Sequence, residues 1–195
     1  MKINKFKILY LGKRNKKIFN FFRKKNISFK SYEKNINGKK IKFFKKFEYL
    51  ISFNYRYILK KKIIDLFKHK ALNCHISYLP WNKGAHPNFW SFYDNTKKGI
   101  SIHVLDGGVD TGDLIFQKKV LFTNKDTLFT SHKKINKEME NYLIKKLPLI
   151  LKDDYKTKKQ IKGGTFHYKK DINVYLRKIK NLYRMEISDV KRLKK

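Results

Sequence analysis

Short apolar runs of strand character alternate with stretches whose apolar residues recur at helical spacing along this 195-residue chain. Strand and helix alternating in this way predict an α/β fold, a mostly parallel, Rossmann-like sheet flanked by helices. Tyr49-Leu50-Ile51-Ser52-Phe53 is apolar almost without a break, as a strand buried on both faces must be. No internal repeat and no linker of Pro, Gly or Ser divides the chain. Residues 1–195 are therefore expected to form one domain, a size that buries roughly 70% of the unfolded surface.

The elements follow in order. Phe6 to Leu11 reads as the first strand, with Gly12 marking the turn after it. Lys16 to Lys25 places Ile18, Phe19, Phe21 and Phe22 at helical spacing, and Ile27 to Tyr32 alternates as a short second strand. The Lys- and Asn-rich connection 34–46 gives no clear signal beyond a turn at Asn37-Gly38. Tyr49 to Phe53 is the next strand, Lys60 to Lys68 an amphipathic helix, and Ala71 to His75 another strand. An irregular loop from Pro80 to Pro87 leads to a short helix beginning at Pro87, and Gly99 to Leu105 and Leu114 to Phe122 read as strands. Asp126-Thr127 suits a helix start; the helix runs over Leu128 to Leu147, with Pro148 near its end. Gly163-Gly164 precedes a basic C-terminal extension, residues 170–195, expected to be in part disordered.

Composition excludes some function classes. No apolar run reaches the roughly 20 residues that a membrane span needs. Met1 to Phe6 lacks the apolar region of a signal peptide, and a lone Cys74 allows no disulfide within the chain, so a cytoplasmic location is expected. The formal charge of +34 suggests nucleic acid. Yet Lys dominates, the arginines being Arg14, Arg23, Arg56, Arg177, Arg184 and Arg192, whereas base readout and bidentate phosphate contacts favour Arg. Lys, Asn, Ile and Phe are what an A/T-biased coding sequence enriches. Most of the charge reads as drift over solvent-facing positions, and nucleic acid is not the expected partner. A positive field would still attract anionic small molecules.

The chemistry concentrates in two pieces, Asn73-Cys74-His75-Ile76-Ser77-Tyr78-Leu79-Pro80 and Asp110-Thr111-Gly112-Asp113-Leu114-Ile115. Each follows an apolar run, so each reads as a strand entering a loop, and the crevice beyond the strand ends is where α/β sheets place chemistry. An amide, an imidazole and a carboxylate suit acyl transfer. Asn can donate to a developing oxyanion, His can take a proton from an attacking amine, and Asp can orient that His or a water. The spaced set Asn73-x-His75-x-Ser77-x-Leu79-Pro80, Gly84, Gly99-Ile100-Ser101-Ile102-His103 and Asp110-x-Gly112-x-x-Ile115-x-Gln117 resembles the folate-dependent formyltransferase family, from about Glu48 to Asp171. The segment Leu79 to Phe92, and Gly163-Gly164-Thr165-Phe166-His167 ahead of Lys170-Asp171, resemble the bacterial branch that formylates nucleotide-linked amino sugars.

The resemblance implies 10-formyltetrahydrofolate as co-substrate, a nucleotide sugar as acceptor, direct attack by the amine, and a catalytic trio of Asn73, His75 and Asp110. It also implies a dimer as one option for assembly. Against these roles stand plainer ones: a polar strand end for His75, a turn cap for Asn73, a loop carboxylate for Asp110, with Asp106 and Asp113 competing. Folate contacts are expected in the loop of Tyr55, Arg56, Tyr57, Ile58 and Leu59, where Asn54 replaces the expected Gly but tolerates positive φ. Arg14, Lys83, His86, Asn88 and Trp90 are candidates for sugar or phosphate contacts. Trp81, Phe89, Trp90 and Phe92 suit a cleft wall or a core equally well. His75, His86 and His103 lack His-x-x-x-His spacing and a Cys partner, which argues against a metal centre; His103 is expected to support the site or to pack. Two other acceptors belong to the same family. Methionyl-tRNA is disfavoured by the short stretch after the catalytic region, and glycinamide ribonucleotide by Gly12-Lys13-Arg14-Asn15 in place of a Gly/Ser-rich phosphate loop. A basic nucleic-acid-binding protein with a vestigial site is the rival from another class.

Overall fold

A computed structural model describes residues 6–194; most of the N-terminal stretch discussed above and Lys195 lie outside the described residues. The order is β1 (Phe6–Leu11), α1 (Lys16–Lys24), β2 (Phe29–Tyr32), α2 (Ile41–Phe44), β3 (Phe47–Phe53), α3 (Lys61–Ile64), β4 (Ala71–His75) and β5 (Lys83–Gly84). Then come α4 (Pro87–Tyr93), β6 (Gly99–Val104), β7 (Leu114–Lys119), α5 (Leu128–Leu151), β8 (Phe166–His167), α6 (Asn173–Lys178) and α7 (Ile187–Arg192). The six-stranded sheet runs β2-β1-β3-β4-β6-β7. Pairings from β2 through β4 are parallel, and β6 and β7 join antiparallel. The expected α/β sheet flanked by helices is present, mostly parallel and mixed at one edge.

The sheet separates two apolar layers. On one face Ile18, Phe19 and Phe22 of α1 and Ile135, Met139, Leu143 and Leu147 of α5 cover Tyr10, Ile51, Leu72 and Cys74. On the other, Phe44, Ile63, Ile64 and Phe67 cover Leu9, Leu11, Leu50 and Ala71. Each large side chain buried in this way contributes about 1.5–3 kcal/mol. A third cluster joins Phe89, Trp90 and Phe92 of α4 to Leu128, Ile172, Leu182, Ile187 and Val190. The described part of the basic extension thus carries α6, a 3₁₀ turn at Leu182–Arg184 and α7, because every third or fourth residue is apolar and joins the cluster around α4.

Three boundaries differ from expectation. The helix expected over 60–68 is α-helical only at Lys61–Ile64, and 3₁₀ at Lys68–Lys70. Lys60 offers no side-chain cap and Lys68 turns left-handed at φ 51°. Helix α5 continues past Pro148 to Leu151, since burying Leu147 and Ile150 offsets the bond that proline cannot make. The stretch 34–46, which gave no helix signal, contains α2, anchored by fully buried Phe44.

Candidate active site

Strand β4 presents Asn73 and His75 on one face, two residues apart, while Cys74 points into the opposite layer. Cys74 is no nucleophile: burial pushes its thiol up to about 12. Antiparallel pairing sets His103 of β6 directly beside Asn73. Because β6 runs backward, the loop after it leaves from the far end of β4, where Leu105 N–H donates to Ala71 O at 2.7 Å. It then returns across the β4 face carrying Asp110. The backbone of Asp110 is left-handed at φ 56°, a conformation Asp tolerates better than most residues.

Asp110 is the hub. Its Oδ1 accepts from Asn73 Nδ2 at 3.0 Å and lies 3.4 Å from His103 Nε2. Its Oδ2 accepts the Gly84 N–H at 2.9 Å and lies 3.5 Å from His75 Nδ1. Burial alone would raise the Asp110 carboxyl, but the positive charge of His75 and His103 when they are protonated, together with the Gly84 N–H, outweighs it and holds the group well below the usual carboxylate range. The carboxylate therefore stays charged at 8% exposure.

The hydrogen bonds assign the protons. His75 Nε2–H donates to Asn82 O at 2.9 Å, which leaves Nδ1, facing Asp110, as the basic nitrogen. His103 Nδ1–H donates to Val104 O at 2.8 Å, so its Nε2 accepts from Asn73 Nδ2 at 3.3 Å. Both amide hydrogens of Asn73 are thereby engaged, one on Asp110 and one on His103. The three residues expected as a trio are brought together. As an oxyanion donor, Asn73 would have to turn one N–H from these partners.

Other expected residues are scattered. Arg14 lies exposed in a cavity of about 790 Å³ at the ends of β1 and β3, with Lys13, Lys17, His132, Lys133 and Lys137. Gly12 precedes it with its backbone against Phe53 O, where a Cβ would approach to 1.9 Å. In the loop after β3, Tyr57 and Ile58 are exposed, Tyr55 bonds Lys34 O and Ile36 N–H, and Asn54 takes the positive φ expected of it, 54°. The Leu59 side chain is buried in the apolar layer with Ile63 and Phe67. Lys83 forms β5, and His86 is left-handed at φ 54°, its imidazole held below its ordinary value by burial, Lys169 and His132.

Asn88 and Trp90 do not line a cleft. Asn88 is 6% exposed and donates to Leu128 O and Ser131 Oγ of α5, and Trp90 is 4% exposed with its ring stacked on His167 at 4.0 Å. Helical spacing turns both inward against α5 and the extension, while Asn88 Oδ1 and Trp90 Nε1 are buried without a hydrogen-bond partner.

Several further residues brace the cluster without having been singled out one by one in the sequence, although Asn82 and Thr165 lie in the two segments that resemble the sugar-formylating branch. Asn82, fully buried, accepts from His75 through its carbonyl, and its own N–H goes to Thr165 Oγ1 at 2.8 Å. Gln160 donates to Asp110 O and Gly112 O, both at 2.8 Å, and so pins the left-handed loop. Partners 83 and 50 residues away leave no trace in spacing. Gly84 and Gln117, by contrast, stand in the spaced set itself, and Gln117 braces Leu79 O and Ser101 Oγ. Among the described residues no group of three His, Cys, Asp or Glu side chains is arranged to hold a metal ion, and no helix is long and apolar enough to cross a membrane.

A family model described as formyl transferase matches residues 4–147. The methionyl-tRNA formyltransferase of Fusobacterium nucleatum subsp. nucleatum is 36% identical over 109 residues, covering 55% of this chain and 35% of that protein. That of Prochlorococcus marinus (strain MIT 9515) is 35% identical over 131 residues, 67% of this chain and 36% of that protein. The chain thus spans about a third of the length of these curated relatives. Among solved structures, the formyltransferase PseJ from Anoxybacillus kamchatkensis, in complex with UDP-4,6-dideoxy-4-formamido-L-AltNAc and tetrahydrofolate, superposes with a TM-score of 0.91. It is 34% identical, over 97% of this chain and 100% of that one. WlaRD, a sugar 3N-formyl transferase, shares the fold with a TM-score of 0.72 at 24% identity, over 87% of this chain and 72% of that one. Since the family match takes in the whole six-stranded sheet together with Asn73, His75 and Asp110, this chain belongs to the formyl transferase family.

Proposed function

We propose that this chain transfers a formyl group from 10-formyltetrahydrofolate to the amino group of a nucleotide-linked amino sugar. The observation that carries the reading is the convergence of Asn73, His75 and Asp110 in a chain 34% identical, nearly end to end, to PseJ, whose structure holds a UDP-linked formamido sugar and tetrahydrofolate.

The donor supplies an activated formyl carbon, and the chain's own residues do the rest. His75 Nδ1 takes the proton that the amine loses as its nitrogen bonds to that carbon, and returns it to the departing donor. Asp110, 3.5 Å away, steadies the imidazolium in between. Such a positioned base contributes typically about 10²–10⁴-fold. Asn73, turning one N–H toward the formyl oxygen, offsets the charge that builds there.

The residues fit a folate. A cavity of about 440 Å³ lies between α3 and residues 104–113, where Ile64, Val104 and Leu105 share the lining with Lys61 and Lys68 and with the carboxylates of Asp65, Asp106 and Asp113. It begins two residues after the loop Tyr55 to Leu59. The apolar side chains suit the faces of a pterin and the carboxylates its N–H groups, while Lys61 pairs with Asp65 and leaves Lys68 to meet an anionic tail. The larger basic cavity suits a diphosphate through Lys13, Arg14, Lys17 and Lys137. Residues 84–86 link it to the chemistry, because Gly84 touches Asp110 while His86 lies close enough to His132, in the cavity wall, for their charges to interact.

A second reading, transfer to an aminoacyl-tRNA, is favoured by the names of the curated relatives. Tetrahydrofolate release decides between them, measured with a panel of nucleoside-diphosphate 3-amino and 4-amino sugars, glycinamide ribonucleotide and charged initiator tRNA. Turnover with an amino sugar alone supports the proposal, and turnover with the tRNA alone replaces it.

A further inference from the structure

We propose that Asp94 and His167 are positioning residues for the catalytic carboxylate. Their hydrogen bond holds β8 on β5 and thereby keeps the Gly84 N–H on Asp110. This rests on the formyl-transfer reading for its kinetic half and on geometry alone for the rest.

Gly84 is one of the groups that keep Asp110 charged, and it sits on a strand of two residues. That strand pairs only with β8, also two residues long, in a sheet separate from the main one. Strands this short cannot hold themselves. The backbone link consists of Lys83 N–H to Thr165 O at 3.0 Å and Ala85 N–H to His167 O at 2.9 Å. Clearance is minimal, since a Cβ on Gly84 would come to 2.3 Å from His167 O.

What fixes β8 is the His167 side chain. Its Nε2–H donates to Asp94 Oδ2 at 2.7 Å, with both side chains largely buried at 17% and 14% exposure. Its ring lies flat on Trp90, 4.0 Å away and 5° from parallel. Asp94 caps the C-terminal end of α4, and α4 is locked into the third apolar cluster. Rigid α4 therefore holds His167, His167 holds β8, β8 holds β5, and β5 delivers the N–H to Asp110. Thr165 Oγ1, accepting the Asn82 backbone N–H at 2.8 Å and the Asn82 Nδ2–H at 3.3 Å, adds a further side-chain tie between the two segments. Neither Asp94 nor His167 bonds Asn73, His75 or Asp110 directly.

The test compares His167→Leu, Asp94→Asn and His167→Gln with the wild type. Gln preserves a donor at nearly the same reach, Leu keeps bulk and loses the bond, and Asn keeps shape while weakening the acceptor. Amide hydrogen exchange is followed at Lys83, Gly84 and Ala85, with Leu50 in β3 as the internal reference. Exchange at the three amides should quicken by at least about tenfold in His167→Leu, less in Asp94→Asn, and return to the wild-type rate in His167→Gln, with Leu50 unchanged; a hydrogen bond to a charged group sets that scale. In parallel, kcat for tetrahydrofolate release should fall by about tenfold in His167→Leu with the KM of both substrates unchanged. Unchanged exchange in His167→Leu and Asp94→Asn overturns the proposal, as does quickened exchange with unchanged kcat. Equal acceleration at Leu50 would mean that the pair serves stability in general, and also overturns it. A wild type inactive on every acceptor would count against the formyl-transfer reading, and the exchange rates would still decide whether this pair holds Gly84.

Discussion

The Asp110 cluster and the basic cavity are built on opposite principles. Around Asp110 the ionisable groups are buried and directed: His75 is 7% exposed, Asp110 8% and His103 1%, and each makes hydrogen bonds to named partners at fixed distances. At the ends of β1 and β3, cations stand in water around an open volume, and Glu140, the one carboxylate there, bonds Asn15. In a low dielectric a charge acts strongly through the one partner it faces. In water, similar charges are screened and stand in for one another. A single substitution should therefore matter far more in the cluster than in the cavity.

His75→Ala tests the strong side. We expect kcat to fall by about 10³-fold, within the range for a lost general base, with the circular dichroism spectrum unchanged. Retained activity would show that the cluster is structural. Asp110→Asn should be nearly as damaging, and it should also alter acid stability. The Asp110 carboxyl is depressed in the folded chain. It therefore adds stability that is fully present above the ordinary carboxylate range and is lost as pH falls below it. Urea unfolding between pH 5 and pH 3, values spanning roughly that range, should show a shallower loss in the variant than in the wild type.

The contact between Gly84 and β8 is the next most sensitive place. Gly84 has φ +85°, and an added Cβ would meet backbone rather than a movable side chain. Gly84→Ala is expected to cost about 3 kcal/mol of unfolding free energy, combining left-handed strain and displacement. A loss under 1 kcal/mol would show that β5 is free to shift.

The same contrast explains what could be read from the sequence. Asn73 and His75 lie two apart on an apolar strand, so their shared face follows from strand geometry, and Asp110 was placed by the spaced set around it. The positive φ at Asn54 was legible because few residues besides Gly tolerate it. Asn82 and Thr165 stand in segments the resemblance picked out, but their pairing was not legible, and Gln160 was not legible at all, since each works through a partner fixed only by tertiary folding. The burial of Asn88 and Trp90 was not legible for a related reason: an aromatic, amide-bearing helix reads alike whether it faces a cleft or a core. The helices of the extension were masked by charge, because lysines outnumber the apolar residues that α4 covers.

On the weak side, Arg14→Ala should raise the KM for the nucleotide sugar by about tenfold and leave kcat and the donor KM alone, as loss of one uniform binding contact predicts. The neighbouring Lys13, Lys17 and Lys137 limit the damage. A fall in kcat would move Arg14 out of the cavity's class and into the cluster's.

Lys98 supplies the smallest effect and the intermediate case. It is a cation neither buried with a partner nor free in water: its Nζ sits 5.5 Å from the Phe92 ring centroid and 3.4 Å from Asn95 Oδ1. Burial, reinforced by Lys191, lowers its ammonium from 10.5 to about 8. The unfolded chain then binds more protons than the folded one between those two values, so unfolding free energy should rise with pH across that interval. In Lys98→Met the contribution disappears, and the variant should gain on the wild type at pH 7 and lose that advantage by pH 10, as read from urea midpoints at both. A constant difference between the two proteins would mean that Lys98 is solvated like the cavity lysines. A growing difference would have the wrong sign for a cation held half out of water.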